Sequence, residues 1–166
     1  MINLNPKAVK QLLFVVSLAL SFSAHCQDSL VGISDAPLVT LEGDTLTRDH
    51  LTGKVLVLNF WFIACGPCRQ EIPALDKLRT KYIDNKDVTF IAISSMDEFD
   101  KIRYFVSRRP FGYEHATKNR EWLNFYKVVV FPTNIVIDKT GKMTFRQKGY
   151  MPDIFTELDR EIQKSL

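Results

Sequence analysis

Hydrophobic and polar positions alternate between two regimes along this chain, continuous apolar runs and faces spaced by three and four residues. The run Val55 to Phe62 (VLVLNFWF), preceded by the turn Leu51-Thr52-Gly53-Lys54, predicts a buried strand. It leads through Ile63 and Ala64 into Cys65-Gly66-Pro67-Cys68. Beyond that, apolar residues recur at Ile72, Leu75, Leu78 and Tyr82, which predicts a helix with one buried face. Pro73 lies within this helix, removes one backbone bond and presses on the preceding turn, so a kink is expected between Arg69 and Pro73. Val88 to Ser94 (VTFIAIS) reads as a second buried strand. Glu98 to Ser107 reads as a helix with Phe99, Ile102, Phe105 and Val106 on one side, and Arg108 to Gly112, containing Pro110, ends it.

The remaining pattern completes an alternating order. Phe111 to Ala116 is expected to be a short strand, Asn119 to Tyr126 a short helix, and Thr133 to Asp138 a strand. The turn Lys139-Thr140-Gly141-Lys142 brings Met143 to Lys148 back antiparallel, and Pro152-Asp153 opens a terminal helix with Ile154, Phe155, Leu158 and Ile162 inward. Ahead of the main strand, Leu38 to Leu41 and Thr45 to Thr47 flank Glu42-Gly43-Asp44 and predict a small hairpin. Two strands followed by β-α-β-α-β-α-β-β-α imply an α/β fold with a mixed central sheet and helices on both faces. Every strand reads as short and apolar, as in a sheet covered on both sides. This domain is expected to run from residue 35 to 166, with residues 27–34 as a linker.

Composition narrows the class without changing that picture. The apolar fraction of 46% and charged fraction of 25% are those of an ordinary globular protein. The formal net charge is +3, and Lys7 and Lys10 supply two of those charges, so the domain itself is almost neutral. That balance gives no footprint for nucleic acid. At the N-terminus the same two lysines precede Leu12 to Ala24, an uncharged run about 20 Å long as a helix, against roughly 30 Å of bilayer hydrocarbon. Basic residues, a short apolar stretch and then small residues predict a secretory signal over residues 1–26, with an uncleaved membrane anchor as the alternative. Export to the periplasm or the outer face of a bacterial membrane follows. Cys26 admits several fates: acylation as a lipoprotein anchor, removal by cleavage, or persistence as an idle thiol. Against acylation, His25 stands where a small residue normally precedes the cysteine; ordinary cleavage would fall after Ser23 or just after Cys26.

Two thiols at i and i+3 lie on one side of a helix's first turn, at a separation that suits a reversible disulfide. Unpaired N–H groups and the helix dipole favour a thiolate there. A helix end stabilises a charge by about 0.3–1 kcal/mol, up to ~2 when partly buried, and one pKa unit is about 1.4 kcal/mol. A thiol starting near ~8.5 therefore falls by roughly one unit, which makes a moderately reducing centre and not a strong oxidant. Cys65 is expected to be the exposed nucleophile and Cys68 the more buried resolving thiol. Gly66 permits close approach of a partner chain, and Pro67 fixes the backbone where a missing N–H costs nothing. Arg69 adds a nearby cation. A zinc site would need four ligands, and one CxxC with Cys26, His25, His50 and His115 scattered singly does not supply them. A structural disulfide that never turns over is the remaining bland alternative.

The segment NFWFIACGPCRQEIP resembles the active site of the thioredoxin fold, and specifically that of the TlpA/ResA-like thiol–disulfide oxidoreductases exported by bacteria. The likeness runs from Ala36-Pro37 through Gly53-Lys54-Val55, the CGPC motif and Glu71, to Phe131-Pro132-Thr133, the strand ending in Asp138, and Gly141-Lys142. It implies a cis proline at Pro132, facing the cysteines, with Phe131 and Thr133 beside it as substrate-contacting residues together with Gly66 and Pro67. It implies a role for Glu71 in proton transfer or partner recognition, to be set against a solvated carboxylate near a helix start. It further implies a monomer without cofactor or metal that reduces client disulfides, for instance in cytochrome c maturation, and is recharged by a membrane thiol-transfer protein. The sequence departs from the family at two places, Ala64 replacing the tryptophan usual before the first cysteine and Phe131 being bulkier than usual, and Asn59 stands where cytoplasmic thioredoxins bury an aspartate. Two rival classes use the same fold. One is a binding module holding copper or a haem-maturation partner without turnover, since two thiolates suit copper(I); the other, peroxide reduction, does not generally use a CxxC here. His115, Trp122 and Tyr126 are read as packing or surface groups.

Overall fold

In the computed structural model, which describes residues 32–166, Val55–Trp61 forms β3 and all seven of its residues are buried. Such a strand needs a hydrogen-bonding neighbour on each edge and a packed layer on each face. It has all four. β4 (Val88–Ser94) runs parallel to it, pairing Val55 with Val88 and Trp61 with Ser94, and β5 (Glu114–Thr117) continues parallel beyond. On the other edge β6 (Thr133–Ile137) is antiparallel and places Asn134 opposite Asn59, and β7 (Met143–Lys148) closes that side antiparallel. The order is therefore β5-β4-β3-β6-β7, with β3 in the middle. A separate hairpin of β1 (Leu38–Val39) and β2 (Thr45–Leu46) is tied to β5 through a bridge from Thr40 to Ala116.

Alternate residues of β3 serve two cores. Val55, Val57 and Trp61 face α2 (Gly66–Lys81), α3 (Phe99–Arg108) and α5 (Ile154–Ser165), meeting Leu75, Leu78, Ile102, Leu158 and Ile162. Leu56, Leu58 and Phe60 face α1 (Arg48–Leu51), α4 (Arg120–Phe125) and the hairpin, meeting Leu51, Trp122, Tyr126 and Leu38. The period-two alternation of a strand thus assigns Asn59 to the same face as Val57 and Trp61, under α2. Trp122 is fully buried and donates from Nε1 to the carbonyl of Ala36 at 2.7 Å, and the Tyr126 hydroxyl donates to that of Gly32 at 3.2 Å.

Several expectations need adjustment. The strand expected over Phe111 to Ala116 begins only at Glu114. Gly112 N–H donates to Asp76 Oδ1 at 2.8 Å, so this segment is held on α2 before it reaches the sheet, while Phe111 and Tyr113 fill the core from a loop. The sequence pattern assigns no element to residues 48–50 and begins a turn at Leu51; Arg48–Leu51 is instead a single helical turn opened by Thr47, whose N–H donates to His50 Nδ1 at 3.3 Å in a capping box that uses histidine in place of the usual Glu or Gln. β7 is not covered on both faces, because half-buried and exposed residues mix along it as an edge strand allows. The helix holding Pro73 is as expected and spans Gly66–Lys81, with the Arg69 carbonyl left without its usual donor. The expected signal segment, Cys26 and the first part of the linker lie outside the described residues. Among the described residues no helix is long and apolar enough to cross a membrane.

Candidate active site

The end of β3 and the turn after β4 together set the position of the cysteines. Asp97, just past β4, accepts from Ile63 N–H at 2.7 Å and from the Ser94 hydroxyl at 2.8 Å, which anchors the loop between β3 and α2 two residues before Cys65. Cys65 is the N-cap of α2, and its Sγ accepts from Cys68 N–H at 3.1 Å. Pro67 occupies the first turn, where no donor is lost. The two cysteines are joined in a disulfide with Cα atoms 5.3 Å apart. The same N–H would hold a thiolate on Cys65 after reduction, so the cap and the dipole act on one atom. Cys65 was expected to be exposed, but in the oxidised protein it is 6% accessible against 2% for Cys68. Its sulfur is turned towards the helix start and bonded to its partner. A Cβ at Gly66 would meet nothing within 4 Å, so the surface outside the disulfide is open.

Glu71, three residues beyond Cys68 on the same helix, is only 1% accessible, which overturns its reading as a solvated carboxylate. Oε2 accepts from Asn134 Nδ2 at 2.8 Å and Oε1 accepts from Met151 N–H at 2.8 Å. Asn134 Oδ1 in turn accepts from Asn59 Nδ2 at 2.8 Å. Three buried side chains and one backbone amide therefore form a single chain of hydrogen bonds across β3, β6 and α2. Burial raises the Glu71 pKa above its ordinary value, and the bonds from Asn134 and Met151 hold it back only in part. The sequence did point to Asn59 but not to Asn134 or Met151. The available signal for Asn134 was a side-chain amide within an apolar strand, as in VLVLNFW and TNIVI; Met151 acts through its backbone and left none. Nearby, the Tyr113 hydroxyl is buried without a partner among the described residues, and burial together with the charges of Glu71 and Asp76 raises its pKa far above the usual value.

Phe131-Pro132 is a cis peptide bond, and Pro132 is buried at the start of β6. Phe131 packs edge-on against Phe62, ring centroids 5.4 Å apart, beside the apolar cluster that contains both cysteines. Its bulk therefore leans on the loop before the dithiol. Thr133 is fully buried and its hydroxyl donates to the Val130 carbonyl at 2.7 Å, so the side chain braces this loop. Val129 and Val130, ahead of it, are exposed. Of the histidines, His50 belongs to the α1 cap, while His115 is buried with Nε2 2.8 Å from the Phe111 carbonyl. Among the described residues no group of three or more His, Cys, Asp or Glu is gathered for a metal.

A mixed sheet whose middle strand delivers a Cys-Gly-Pro-Cys pair to a helix start, with a cis-proline loop opening the next strand, defines a thioredoxin-like α/β protein with a disulfide-forming dithiol. The chain belongs to the Redoxin family, which it matches over residues 19–162. It is 32% identical over 108 residues to the thioredoxin-like protein YneN of Bacillus subtilis, covering 64% of this chain and 64% of YneN. It is 34% identical over 110 residues to the thiol-disulfide oxidoreductase ResA of Bacillus thuringiensis, covering 66% of this chain and 63% of ResA. The match thus spans slightly less than two thirds of the length of these relatives. A solved Chlorobium tepidum structure, assigned as a thiol:disulfide interchange protein DsbE, superimposes with a TM-score of 0.70 at 26% identity, covering 81% of this chain and 96% of that one.

Proposed function

We propose that the protein is a thiol–disulfide oxidoreductase that reduces disulfides of client proteins outside the cytoplasm. The observation that carries this reading is the placement of Cys65: it caps α2, its sulfur accepts a helix N–H, and it lies three residues before a deeper cysteine with which it already forms a disulfide. In the reduced protein, Cys65 thiolate attacks one sulfur of the client disulfide, forming a mixed disulfide and releasing the client's other sulfur as a thiolate. Cys68 then loses its proton and attacks Cys65 Sγ, closing the Cys65–Cys68 disulfide and releasing the second client thiolate. Two electrons pass to the client, whose thiolates take up two protons.

Glu71 is the group suited to accept the Cys68 proton. It is one helical turn away on the same face, and burial moves its pKa towards the range where it can both take and give a proton. Phe131 and cis Pro132 supply the edge against which the client's backbone lies, with Gly66 and Pro67 leaving the approach open. The matched relatives carrying thiol-disulfide names support the reaction class; the clients, including cytochrome c precursors, and a membrane thiol-transfer protein as electron donor belong to the same proposal. So does export by the N-terminal segment.

The reduction potential of the Cys65–Cys68 pair tests this directly, together with the rate at which the reduced protein opens insulin disulfides. The expected potential lies nearer that of thioredoxin, about −270 mV, than that of DsbA, about −120 mV. A value at the oxidising end, or no insulin reduction, rules the reading out.

A further inference from the structure

A cavity of about 600 Å³ opens beside the dithiol, between the start of α2 and α3, and reaches Ala64, the residue directly before Cys65. We propose that it is a docking groove for an acidic segment of the client chain, adjacent to the client's own disulfide; this rests on the oxidoreductase reading above. Apolar atoms of Ile63, Ala64 and Phe105 lie within it, while Arg69, Lys101, Arg108 and Arg109 bring four cations to its lining. None of these four is in an ion pair among the described residues. Two carboxylates also reach the cavity. Asp97 is held by Ile63 N–H and the Ser94 hydroxyl and Asp100 is exposed, and both keep their negative charge against the four cations. The lining is therefore positive in excess.

Two features make this a groove for a chain. A second cavity of about 400 Å³ continues along α2 past Pro73 to Pro110, and Arg69, Arg108 and Arg109 line both. The combined site is therefore elongated, and Asp76, which accepts from Gly112 N–H, adds a third carboxylate to it, so four cations face three carboxylates. In addition, Arg108 lies 4.7 Å from the ring centroid of Tyr104 and Arg109 lies 5.7 Å from that of Phe105. Cation–π contact of this kind limits the wandering of a guanidinium while leaving its N–H fork free for a carboxylate. A client cysteine joined to Cys65 would present its neighbouring residues at the Ala64 end of this groove. Where a tryptophan would occupy position 64, alanine leaves the mouth open.

The test uses pre-reduced protein in single turnover, so the electrons come only from Cys65 and Cys68. Three synthetic disulfide peptides differ only in flanking residues: Asp and Glu, Lys, or Ser. The acidic peptide should be reduced about tenfold or more faster than the basic one at low salt, the scale expected of charge steering, and the gap should close at high salt. Arg108→Glu/Arg109→Glu should remove or invert the preference, and Arg108→Lys/Arg109→Lys should keep it. Equal rates for acidic and basic peptides in the wild type overturn the groove while leaving the oxidoreductase reading intact. An unchanged preference in the charge-reversed variant, with its disulfide and helix content preserved, does the same. A preference confined to a small dicarboxylate disulfide also overturns the peptide assignment. Reduction of no peptide at all overturns the oxidoreductase reading and the groove with it.

Discussion

The inner and outer flanks of α2's first two turns hold charge in opposite ways. Inside, Glu71 is buried and both of its oxygens are matched, one by Asn134 and one by Met151, with Asn59 fixing the Asn134 amide from behind. Outside, Arg69, Arg108 and Arg109 are exposed and none is in an ion pair among the described residues. A buried charge without partners is prohibitively unfavourable, so every atom around it must be specified. An exposed charge is kept by water and needs no specification. Proton transfer therefore belongs on the inner flank, where one hydrogen bond changes a pKa. Partner choice belongs on the outer flank, where several charges act together at a distance.

The largest effects should come from the dithiol between the two flanks. Cys65→Ser should abolish turnover, whereas Cys68→Ser should stall at the mixed disulfide and accumulate it, visible as a covalent adduct by mass spectrometry. Full activity in either variant would remove the dithiol mechanism and leave the flanks with nothing to serve. Next comes Glu71→Leu. It leaves the Asn134 Nδ2–H and Met151 N–H donors facing an apolar side chain, at about 1–3 kcal/mol for each unsatisfied group. Chemical denaturation should show a loss of several kcal/mol. A loss below about 1 kcal/mol would mean that the inner flank is not tightly matched after all.

Glu71→Gln gives a smaller effect with a definite sign. The folded-state pKa of Glu71 lies above its ordinary 4.5, so the folded protein holds this proton more tightly than the unfolded chain does. The contribution of that carboxyl to stability is fully present below about 4.5 and is lost as pH rises through the folded value. Wild type should therefore gain on Glu71→Gln as pH falls from neutral towards 4.5. Taking the difference between the two proteins cancels carboxylates shifted the other way, such as Asp138 and Asp159, whose pKa values are lowered. A difference that is flat with pH, or that moves the other way, would show that the hydrogen bonds outweigh burial at Glu71.

The two flanks also differed in how far they could be read in advance. Strand and helix order, the middle position of β3 and the dithiol at a helix start follow from local patterns, namely apolar runs, spacings of three and four, and a CxxC after a strand. The inner flank is non-local. Asn134 lies 63 residues from Glu71 and 75 from Asn59, and only the antiparallel register of β3 and β6 brings them together. The same holds for Gly112 on Asp76, which shifted the start of β5. On the outer flank Arg108 and Arg109 look, in sequence, like the ordinary end of a helix. Their relation to Ala64 depends on how α3 packs beside the β3–α2 loop.

Arg69→Ala should have the smallest effect and bears most directly on the contrast between the flanks. Arg69 lies within the first turn or so of α2, where a cation opposes the helix dipole. It is exposed and its guanidinium is in no ion pair among the described residues. Its removal should change stability by no more than about 0.5 kcal/mol, the range of an unconstrained surface substitution, and any change should be towards greater stability. The same cation lies near the Cys65 thiolate formed on reduction and favours it. The pH dependence of thiolate formation in the reduced variant, followed by alkylation rate, should therefore move to slightly higher pH while the melting temperature holds or rises. A loss of stability above about 1 kcal/mol would show that Arg69 is structurally tied in. The outer flank would then be built like the inner one, and its positive charge would be a by-product of packing, not a surface left open for a partner.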